Sequence, residues 1–580
     1  MEEKRIGVYV CWCGTNIAMM VDVKDVAKEM ESLPDVVLAR NYKYMCSDPG
    51  QDMIIKDIKE HNLNRIVVAA CSPRLHELTF RTALDNAGLN PYMLQMANIR
   101  EQDSWVHTDR TEATDKAKSL VAAAIRRVVH HKPLQKRTVD VHADTLIIGG
   151  GVSGMAAALE ISDAGKRVLL IEKNENIGGT AAKLNLSFPY MNDANGAIHN
   201  LIKKVEESDQ ITIYSKSEVK EIHGYIGNFK GVVKGQDEKE THLEFGNVIV
   251  ATGLKSIDAG KIKNYGYWKY PQVITSLEFE SLTKQGKIVN EEGKVPDNIA
   301  IIHCAGSRND NYNNYCSRTC CMSALKYANQ VRDMLPDSNI FELYADMRAF
   351  GKGCEELYTS TSRRGVMFLM FDQRNELPVI KKDEEGDGLV IEFNEKLSGE
   401  DIQVPADLVI LMVGMEAHDD AKKVSHLAGI SMCGNGFFIE KHPKLDPVAT
   451  TTDGVYVVGC CQAPKDIPDS ISQAQAAVAR VLATISKGSV EIEVTTAEIN
   501  KDICCGCQFC ISVCPYGANS FDAENNVSVV NEVLCKGCGT CATACPSGAI
   551  VTKHFTDEQI LSQIEGLMAK VLELEEVETD

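Results

Sequence analysis

Eight of the chain's 21 cysteines fall into two runs of a single spacing. Cys504, Cys507, Cys510 and Cys514 precede Pro515, and Cys535, Cys538, Cys541 and Cys545 precede Pro546. A C-x2-C-x2-C-x3-C-P run wraps thiolates around an iron–sulfur cube, and where the run is doubled the fourth Cys of each crosses to the other cluster. Cys504, Cys507, Cys510 and Cys545 are therefore expected to hold one 4Fe-4S cluster, and Cys535, Cys538, Cys541 and Cys514 a second. Zinc needs only four thiols per site and leaves the paired Cys-Pro repeats unexplained. Cys505 is surplus to both sets.

Two further sets lack that regularity. Cys304, Cys316, Cys320 and Cys321 space as C-x11-C-x3-C-C just after the apolar run NIAIIHC, Asn298 to Cys304. Ligation of an iron–sulfur cluster is the expectation; the alternative is a buried vicinal pair with two unrelated thiols. Cys11 and Cys13, Cys46, and Cys71 each follow a short apolar run: Ile6 to Val10, Val36 to Ala39, and Ile66 to Ala70. In an open parallel sheet the loops after the strands' C-terminal ends gather along one edge, so these four thiols can meet as one site. Four small buried cysteines are the alternative. Cys354 fits no cluster spacing and reads as a core thiol. Adjacent cysteines form strained disulfides, so Cys460 and Cys461 read as buried thiols, with a redox-active pair as the alternative.

A different chemistry is written in Thr145 to Gly179, TLIIGGGVSGMAAALEISDAGKRVLLIEKNENIGG. An apolar strand is followed by Gly149, Gly151 and Gly154 at G-x-G-x-x-G spacing, then a helical stretch from Met155 to Ala164. A second strand, Val168 to Ile171, ends in Glu172, 18 positions beyond Gly154. Gly149 permits the tight turn, Gly151 lets backbone approach a pyrophosphate, and Gly154 lets the helix pack against the strand. The helix N-terminus attracts phosphate, and Glu172 can accept from a ribose hydroxyl.

Those residues, with Lys173, Ile177, Gly178, Gly179, Thr180 and the later VIVATG run ending in Ala251, Thr252 and Gly253, resemble the flavoprotein disulfide reductases. The resemblance implies FAD. It stops at the reactive dithiol, because Ala181 and Leu186 stand where those enzymes have cysteines. The segment TTDGVYVVGCCQAPKDIPDS, from residue 451, matches the reductases' last FAD-contacting stretch, with Gly459 followed by Cys460 where they have Asp. Ile467 then opens a helix aimed at the flavin ring, where its N-terminus would favour negative charge. Lys465 is the candidate for tuning the flavin potential; an ordinary surface ion pair is the alternative.

The positioning elements read as α/β throughout. Residues 1–131 alternate strands and helices as a small cluster-binding domain, closing on an amphipathic helix from Thr111 to His131. A Pro133-bearing linker, 132–141, leads to the first part of the FAD domain, 142–296, with a polar excursion from 255. A second Rossmann-like domain, 297–405, carries thiols in place of a nucleotide turn. The FAD domain returns over 406–490, a two-cluster bacterial-type ferredoxin domain spans 491–555, and a helix, 556–580, suits docking on its own chain or a partner. The fold class expected is thus a two-dinucleotide-domain, thioredoxin reductase-like core with cluster domains at both ends. A formal charge of −20, from 61 basic and 81 acidic residues, argues against a nucleic-acid surface. No run approaches membrane-spanning length, and MEEKRIGVYV lacks a signal peptide's apolar region, so a cytoplasmic chain is expected.

CSPRLHELTFRTALDNAGLNPYMLQMANIREQDSWVH (Cys71 to His107), the 304–321 thiols and DMRAFGKGCEELY (346–358) resemble the A-type subunits of heterodisulfide reductase. What the resemblance implies is an FAD and 4Fe-4S component of a multi-subunit oxidoreductase of methanogenesis. In that family electrons arrive from a hydrogenase or formate dehydrogenase partner. They leave toward the disulfide-reducing B- and C-type subunits and, where the flavin bifurcates, toward ferredoxin, within a dimer of complexes. No acid or base catalyst is named by the sequence. His76, Trp105 and His107 read either as a subunit contact or as packed side chains. One ferredoxin module is present where longer family members carry a second, inserted one. The rival readings are a relay without bifurcation in a quinone-linked or sulfur-metabolising complex, and an NAD(P)H-dependent reductase, which would need a second Gly-rich turn near 304.

Overall fold

The computed structural model describes residues 3–290, 293–384, 386–492 and 494–578. The chain forms two compact units, Met1–Thr138 with Glu491–Asp580, and Val139–Val490.

In the first unit, strands Ile6–Cys11 and Arg65–Ala70 are buried along their whole lengths. Strands with no solvent-facing side belong at the centre of a parallel sheet covered on both faces. The order is Val36–Tyr42, Ile6–Cys11, Arg65–Ala70, Leu94–Asn98, all parallel. Helices Val23–Met30 and Arg110–Val128 cover one face, and Asp48–His61 with Pro73–Ala87 the other. The strand Leu94–Asn98 has no clear apolar run and escaped the sequence reading. Helix Arg110–Val128, capped by Asp109, stops short of the expected His131. That ring turns inward instead, stacking on His554 at 4.3 Å with Nδ1 3.2 Å from the Tyr92 carbonyl.

The C-terminal portion of this unit is two antiparallel ribbons, Ala497–Ile499 with Ile550–Thr552 and Asn519–Asp522 with Val527–Val530. Short helices Phe509–Ser512 and Thr540–Ala544 sit in corresponding places in the two halves. Helix Asp557–Glu578 packs along Arg110–Val128 so closely that a Cβ on Gly566 would meet the Ala123 Cα at 2.6 Å. Arg127 ties the pair, donating to Gln563 Oε1 at 2.6 Å and to the His554 carbonyl at 2.7 Å.

The second unit holds two five-stranded parallel sheets. The first runs Ile211–Tyr214, Val168–Ile171, Thr145–Ile148, Asn247–Val250, Val455–Val457. Helices Val152–Asp163, Ala194–Glu206 and Ile467–Lys487 bury one face, and the ribbon Ser217–Tyr225, Asn228–Gly235, Glu240–Phe245 the other. The second runs Val273–Thr275, Leu408–Val413, Asn298–Ala305, Asn339–Tyr344, Met367–Met370.

Two expected boundaries move. The excursion from 255 contributes elements to the second domain: Val273–Thr275 is an edge strand of the second sheet, and helix Ser276–Lys284 follows with a Thr275/Glu278 capping box. Leu408–Val413, assigned from sequence to the returning FAD segment, pairs with Asn298–Ala305 inside the second sheet. Its six residues are all buried, and only a central position there covers both faces of so apolar a strand.

Candidate functional site

A cavity of about 1040 Å³ opens at the C-terminal ends of the first sheet's strands, at the top of the usual range for ligand sites. Gly149, Gly151, Glu172, Lys173, Gly179, Thr180, Ala251, Thr252, Gly253, Lys465 and Ile467 all line it. Gly154, Gly178 and Gly459 do not, and each has another role. A Cβ on Gly154 would lie 1.9 Å from the Gly149 carbonyl oxygen, so only glycine lets this helix start against this turn. Gly178 donates to the Gly150 carbonyl at 2.8 Å and locks two loops together, while the Gly459 amide is held by Gln473 at 2.8 Å.

Gly149 has φ +109 and no room for a side chain, because Ala251 O lies 2.4 Å from where its Cβ would be. At Gly151 nothing lies within 4 Å, so the cradle a pyrophosphate requires is open. Glu172 is buried; its Oε2 accepts from the Gly150 amide at 2.8 Å and its Oε1 from the backbone and side chain of Asn174 at 2.8 and 2.7 Å. Its carboxylate therefore braces the turn as well as facing the cavity. These features fit a dinucleotide.

Lys465 is buried rather than at the surface, and its ammonium donates to Gly459 O, Gln462 Oε1 and Ala463 O at 2.9, 2.8 and 2.9 Å. An ammonium has three donors, and the loop takes all of them. Burial lowers its pKa, and the Cys460 and Cys461 thiols oppose that shift. Cys460 and Cys461 are separate thiols, of which Cys460 lines the cavity. Helix Ile467–Lys487 presents its N-terminus there, capped by Asp466 accepting from the Asp469 amide at 2.8 Å.

Two buried groups on the cavity wall, Lys326 and Tyr327, and the buried Glu280 behind them escaped the sequence reading. Lys326 pairs with Glu280 and donates to the Leu186 carbonyl at 3.0 Å, while Tyr327 donates to the same Glu280 oxygen at 2.8 Å. Glu280 Oε2 accepts from the Asn185 amide at 2.9 Å. A Lys inside a helix reads as solvated surface, and nothing local marks its distant partner.

Across the same cavity stands the second cysteine set. Cys320 and Cys321 open helix Cys320–Met334, whose N-cap Thr319 makes no side-chain cap bond, and Thr319 and Cys320 line the cavity wall. Cys304, at φ +55, stands next to last in the central strand, and charge on Cys304, Cys316 and Cys321 adds to burial in raising the Cys320 thiol. The structure thus gathers all four. Burial pushes the Cys321 thiol up, but contact with His303 outweighs it and leaves the thiol below its ordinary value. His303 Nε2 is 2.9 Å from Glu342 Oε2, and both residues are fully buried. His303 Nδ1 and Arg308 Nη1 are buried without a hydrogen-bond partner, and the two residues neighbour the Cys321 and Cys304 thiols respectively. Orphaned donors among thiols fit an anionic cluster.

Where a nucleotide turn would follow the strand, a polar network closes the loop. Ser307 and Ser317 hydroxyls meet at 2.6 Å, and Gln373 Nε2 donates to the Cys304 and Ser307 carbonyls at 2.9 and 2.8 Å.

In the first unit, Cys11, Cys13, Cys46 and Cys71 gather at the sheet's C-terminal edge. Cys11 Sγ accepts from the Cys13 and Met45 amides at 3.3 and 3.4 Å. Burial pushes Cys71 up to about 12, with Cys13 and Cys11 adding and Arg100 opposing. Trp105 is exposed, and His107 Nδ1 lies 3.1 Å from the buried Asp103 carboxylate, a packed role for the histidine. A small cavity in the ferredoxin portion is lined by Cys514, Cys535, Cys538 and Cys541, so Cys514 stands with the other run. Ser547 reaches the Cys545 thiol at 3.6 Å and lies by Cys505, on the first run. Cys354 is buried with Leu357 and Met322.

The family described as pyridine nucleotide-disulphide oxidoreductase matches residues 143–302, and the 4Fe-4S dicluster domain matches 503–549. The second of the A-type iron-sulfur subunits of CoB--CoM heterodisulfide reductase in Methanopyrus kandleri is 41% identical, over 97% of this chain and 99% of that one. The A-type subunit of the H(2):CoB-CoM heterodisulfide,ferredoxin reductase of Methanothermobacter thermautotrophicus is 39% identical, over 98% of each. Its counterpart in the H(2)/formate:CoB-CoM heterodisulfide,ferredoxin reductase of Methanococcus maripaludis is 36% identical, over 99% of this chain and 100% of that one. The first alignment runs over 651 positions against 580 residues here, so at least 71 positions of that relative face no residue of this chain. Among solved structures, T. acidophilum thioredoxin reductase is 17% identical with a TM-score of 0.41, covering 59% of this chain and 99% of that one.

Proposed function

The chain belongs to the family of A-type heterodisulfide reductase subunits, oxidoreductases with FAD and 4Fe-4S clusters, and on that premise we propose that it distributes electrons by flavin-based bifurcation. A hydrogenase or formate dehydrogenase partner supplies the electrons. Disulfide-reducing B- and C-type subunits and ferredoxin receive them, within a cytoplasmic dimer of complexes. No helix among the described residues is long and apolar enough to cross a membrane.

The single observation that carries this reading is that Cys320 forms part of the wall of the cavity that Gly149, Gly151 and Glu172 shape. Bound FAD supplies the conversion between paired and single electrons. Around it, Gly151 admits the pyrophosphate, Glu172 takes the ribose, and the N-terminus of helix Ile467–Lys487 favours negative charge at the ring. Lys465, its donors spent on its own loop, contributes a fixed positive charge. Cys304, Cys316, Cys320 and Cys321 hold a cluster next to the flavin, Cys11, Cys13, Cys46 and Cys71 another, and the two ferredoxin runs the remaining pair. The shortfall of at least 71 positions supports the missing inserted module, and leaves ferredoxin to draw from the sites this chain retains.

The test is anaerobic. The full-length protein should contain about 16 iron atoms, four per cluster, and its flavin should bleach when a low-potential one-electron donor reduces the clusters. Bleaching by NADPH alone overturns the reading, because the closed loop after Cys304 offers that nucleotide no phosphate turn.

A further inference from the structure

Each irregular cysteine set holds an arginine by a thiol with a carboxylate behind it, and the second set adds a histidine placed the same way. In the first unit Arg100 Nη1 donates to Cys13 Sγ at 3.2 Å. The same guanidinium donates to Glu101 Oε1 through Nη2 at 2.7 Å and Nε at 3.2 Å. Glu101 is itself fixed, since its Oε2 accepts from the amide of Ser72, next to Cys71, at 2.9 Å. The Trp105 ring lies 4.8 Å from the guanidinium carbon and covers it. In the second unit the chains of contact are Glu342–His303–Cys321 and Asp346–Arg308–Cys304.

The ferredoxin thiols are met differently. Backbone amides of Ala497 and Ala518 donate to Cys535 and Cys514, both at 3.3 Å, and hydroxyls of Thr540 and Ser547 lie 3.4 and 3.6 Å from Cys538 and Cys545. Those are neutral groups.

Burying a cation is costly unless an anion repays it. One carboxylate does so in part, yet His303 Nδ1 and Arg308 Nη1 still lack acceptors, and Arg100 has turned one donor onto sulfur. A cluster held by four thiolates supplies the missing acceptor and becomes more negative when it takes an electron. Charge-assisted hydrogen bonds to its sulfurs then favour the reduced form. The carboxylate behind each cation aims the donor, as outer partners do for metal ligands in general.

We propose that Arg100 in one unit, and His303 with Arg308 in the other, are positioning residues that raise the reduction potentials of the two irregular clusters and make them the branch that takes the higher-potential electron. This rests on the reading that these cysteines hold clusters. The experiment is a redox titration of the full-length, anaerobically prepared protein, followed by electron paramagnetic resonance, with iron counted beforehand. In Arg100→Gln the oxidised-to-reduced ratio of one non-ferredoxin cluster, at fixed solution potential, should rise about tenfold, a midpoint roughly 59 mV more negative. Arg100→Lys should recover part of the shift, and the ferredoxin signals should not move. His303→Gln should act in the same direction on the other cluster, and Glu101→Gln, which loosens Arg100 without removing it, should give a smaller shift. If Arg100→Gln loses iron, Glu101→Gln and His303→Gln decide the question. Unmoved midpoints with iron intact, an equal shift in Arg100→Lys, or displacement of every cluster together overturns the inference. Wild-type iron sufficient only for the ferredoxin pair would instead overturn the cluster assignment beneath it.

Discussion

Alanine at Gly151 and at Gly154, three residues apart in one turn, should separate cofactor binding from folding. At Gly154 the new methyl would lie 1.9 Å from Gly149 O and 3.1 Å from its carbonyl carbon, both rigid backbone. The helix must withdraw from the turn by more than an ångström, and overpacking of this kind costs about 1–3 kcal/mol; with backbone on both sides the upper end applies. Gly151 has φ −75, ordinary for alanine, and no atom within 4 Å of the added methyl. Its stability should hold or rise by about 0.4–1 kcal/mol, because alanine restricts the unfolded chain. The methyl instead occupies the space a pyrophosphate must enter. Losing one charge-assisted backbone hydrogen bond, worth about 1.5–3 kcal/mol, weakens FAD binding roughly ten- to hundredfold. Thermal melts of the flavin-free protein, with FAD titrations followed by fluorescence quenching, read the two quantities separately. Wild-type FAD affinity in Gly151→Ala, or equal destabilisation by both variants, would refute the reasoning.

Three further outcomes follow from the same geometry. Lys326→Met strands the buried Glu280 carboxylate behind the cavity wall and should cost about 3–5 kcal/mol in denaturant unfolding, most of it recovered by adding Glu280→Gln; no recovery would mean that the pair is not the source. Cys514→Ser should give the same cluster spectrum as Cys541→Ser and a different one from Cys510→Ser, whereas a match to Cys510→Ser sinks the crossed ligation. His131 sets a pH dependence: burial foremost, with His554 and Arg127 adding, depresses its pKa to about 3. The unfolded chain, at about 6.5, therefore takes the proton first, so stability is fully present above pH 6.5 and falls by about 1.4 kcal/mol per unit below it. Denaturant melts at pH 7 and 5 should differ by about 2 kcal/mol, and His131→Gln should flatten that slope.

What was legible in the chain depended on how local its cause was. The Gly149–Gly151–Gly154 turn and the two Cys-Pro runs owe their form to contacts within a few residues, so spacing alone picks them out. Cys11, Cys13, Cys46 and Cys71 were legible one step further, because parallel-strand topology alone carries loop ends to a common edge. The edge strand Val273–Thr275 was not, since its three residues pair with Leu408–Val413, more than 130 positions away. Lys326 failed for the same reason, its meaning lying in Glu280 and the Leu186 carbonyl rather than in its helix. For Lys465 the sequence left a surface ion pair open beside the cavity role, because the three acceptors within six residues that let the ammonium stay inside are not marked by residue type.

One arrangement recurs in this chain with different occupants. A buried parallel strand ends, the backbone turns, and a helix begins with no side-chain cap bond. After Thr145–Ile148 that turn is glycine, and the helix N-terminus faces the open side of Gly151, where a phosphate belongs. After Asn298–Ala305 the helix begins at Cys320, and after Arg65–Ala70 it follows Cys71, with N-caps Thr319 and Ser72 that make no side-chain cap bond. A pyrophosphate and a thiolate-bound cluster are both compact anions, so the positive end of a helix favours either. Exchanging one for the other asks only that glycines give way to thiols. It leaves the sheet, the helix and the buried surface between them unaltered, which is how, on the proposed reading, a fold suited to holding nucleotides would hold one-electron carriers. The four cysteine sets then differ less in their backbone than in the side chains beside the sulfurs, arginine or histidine with a carboxylate behind it at the two irregular sets and hydroxyls of Thr540 and Ser547 at the ferredoxin runs.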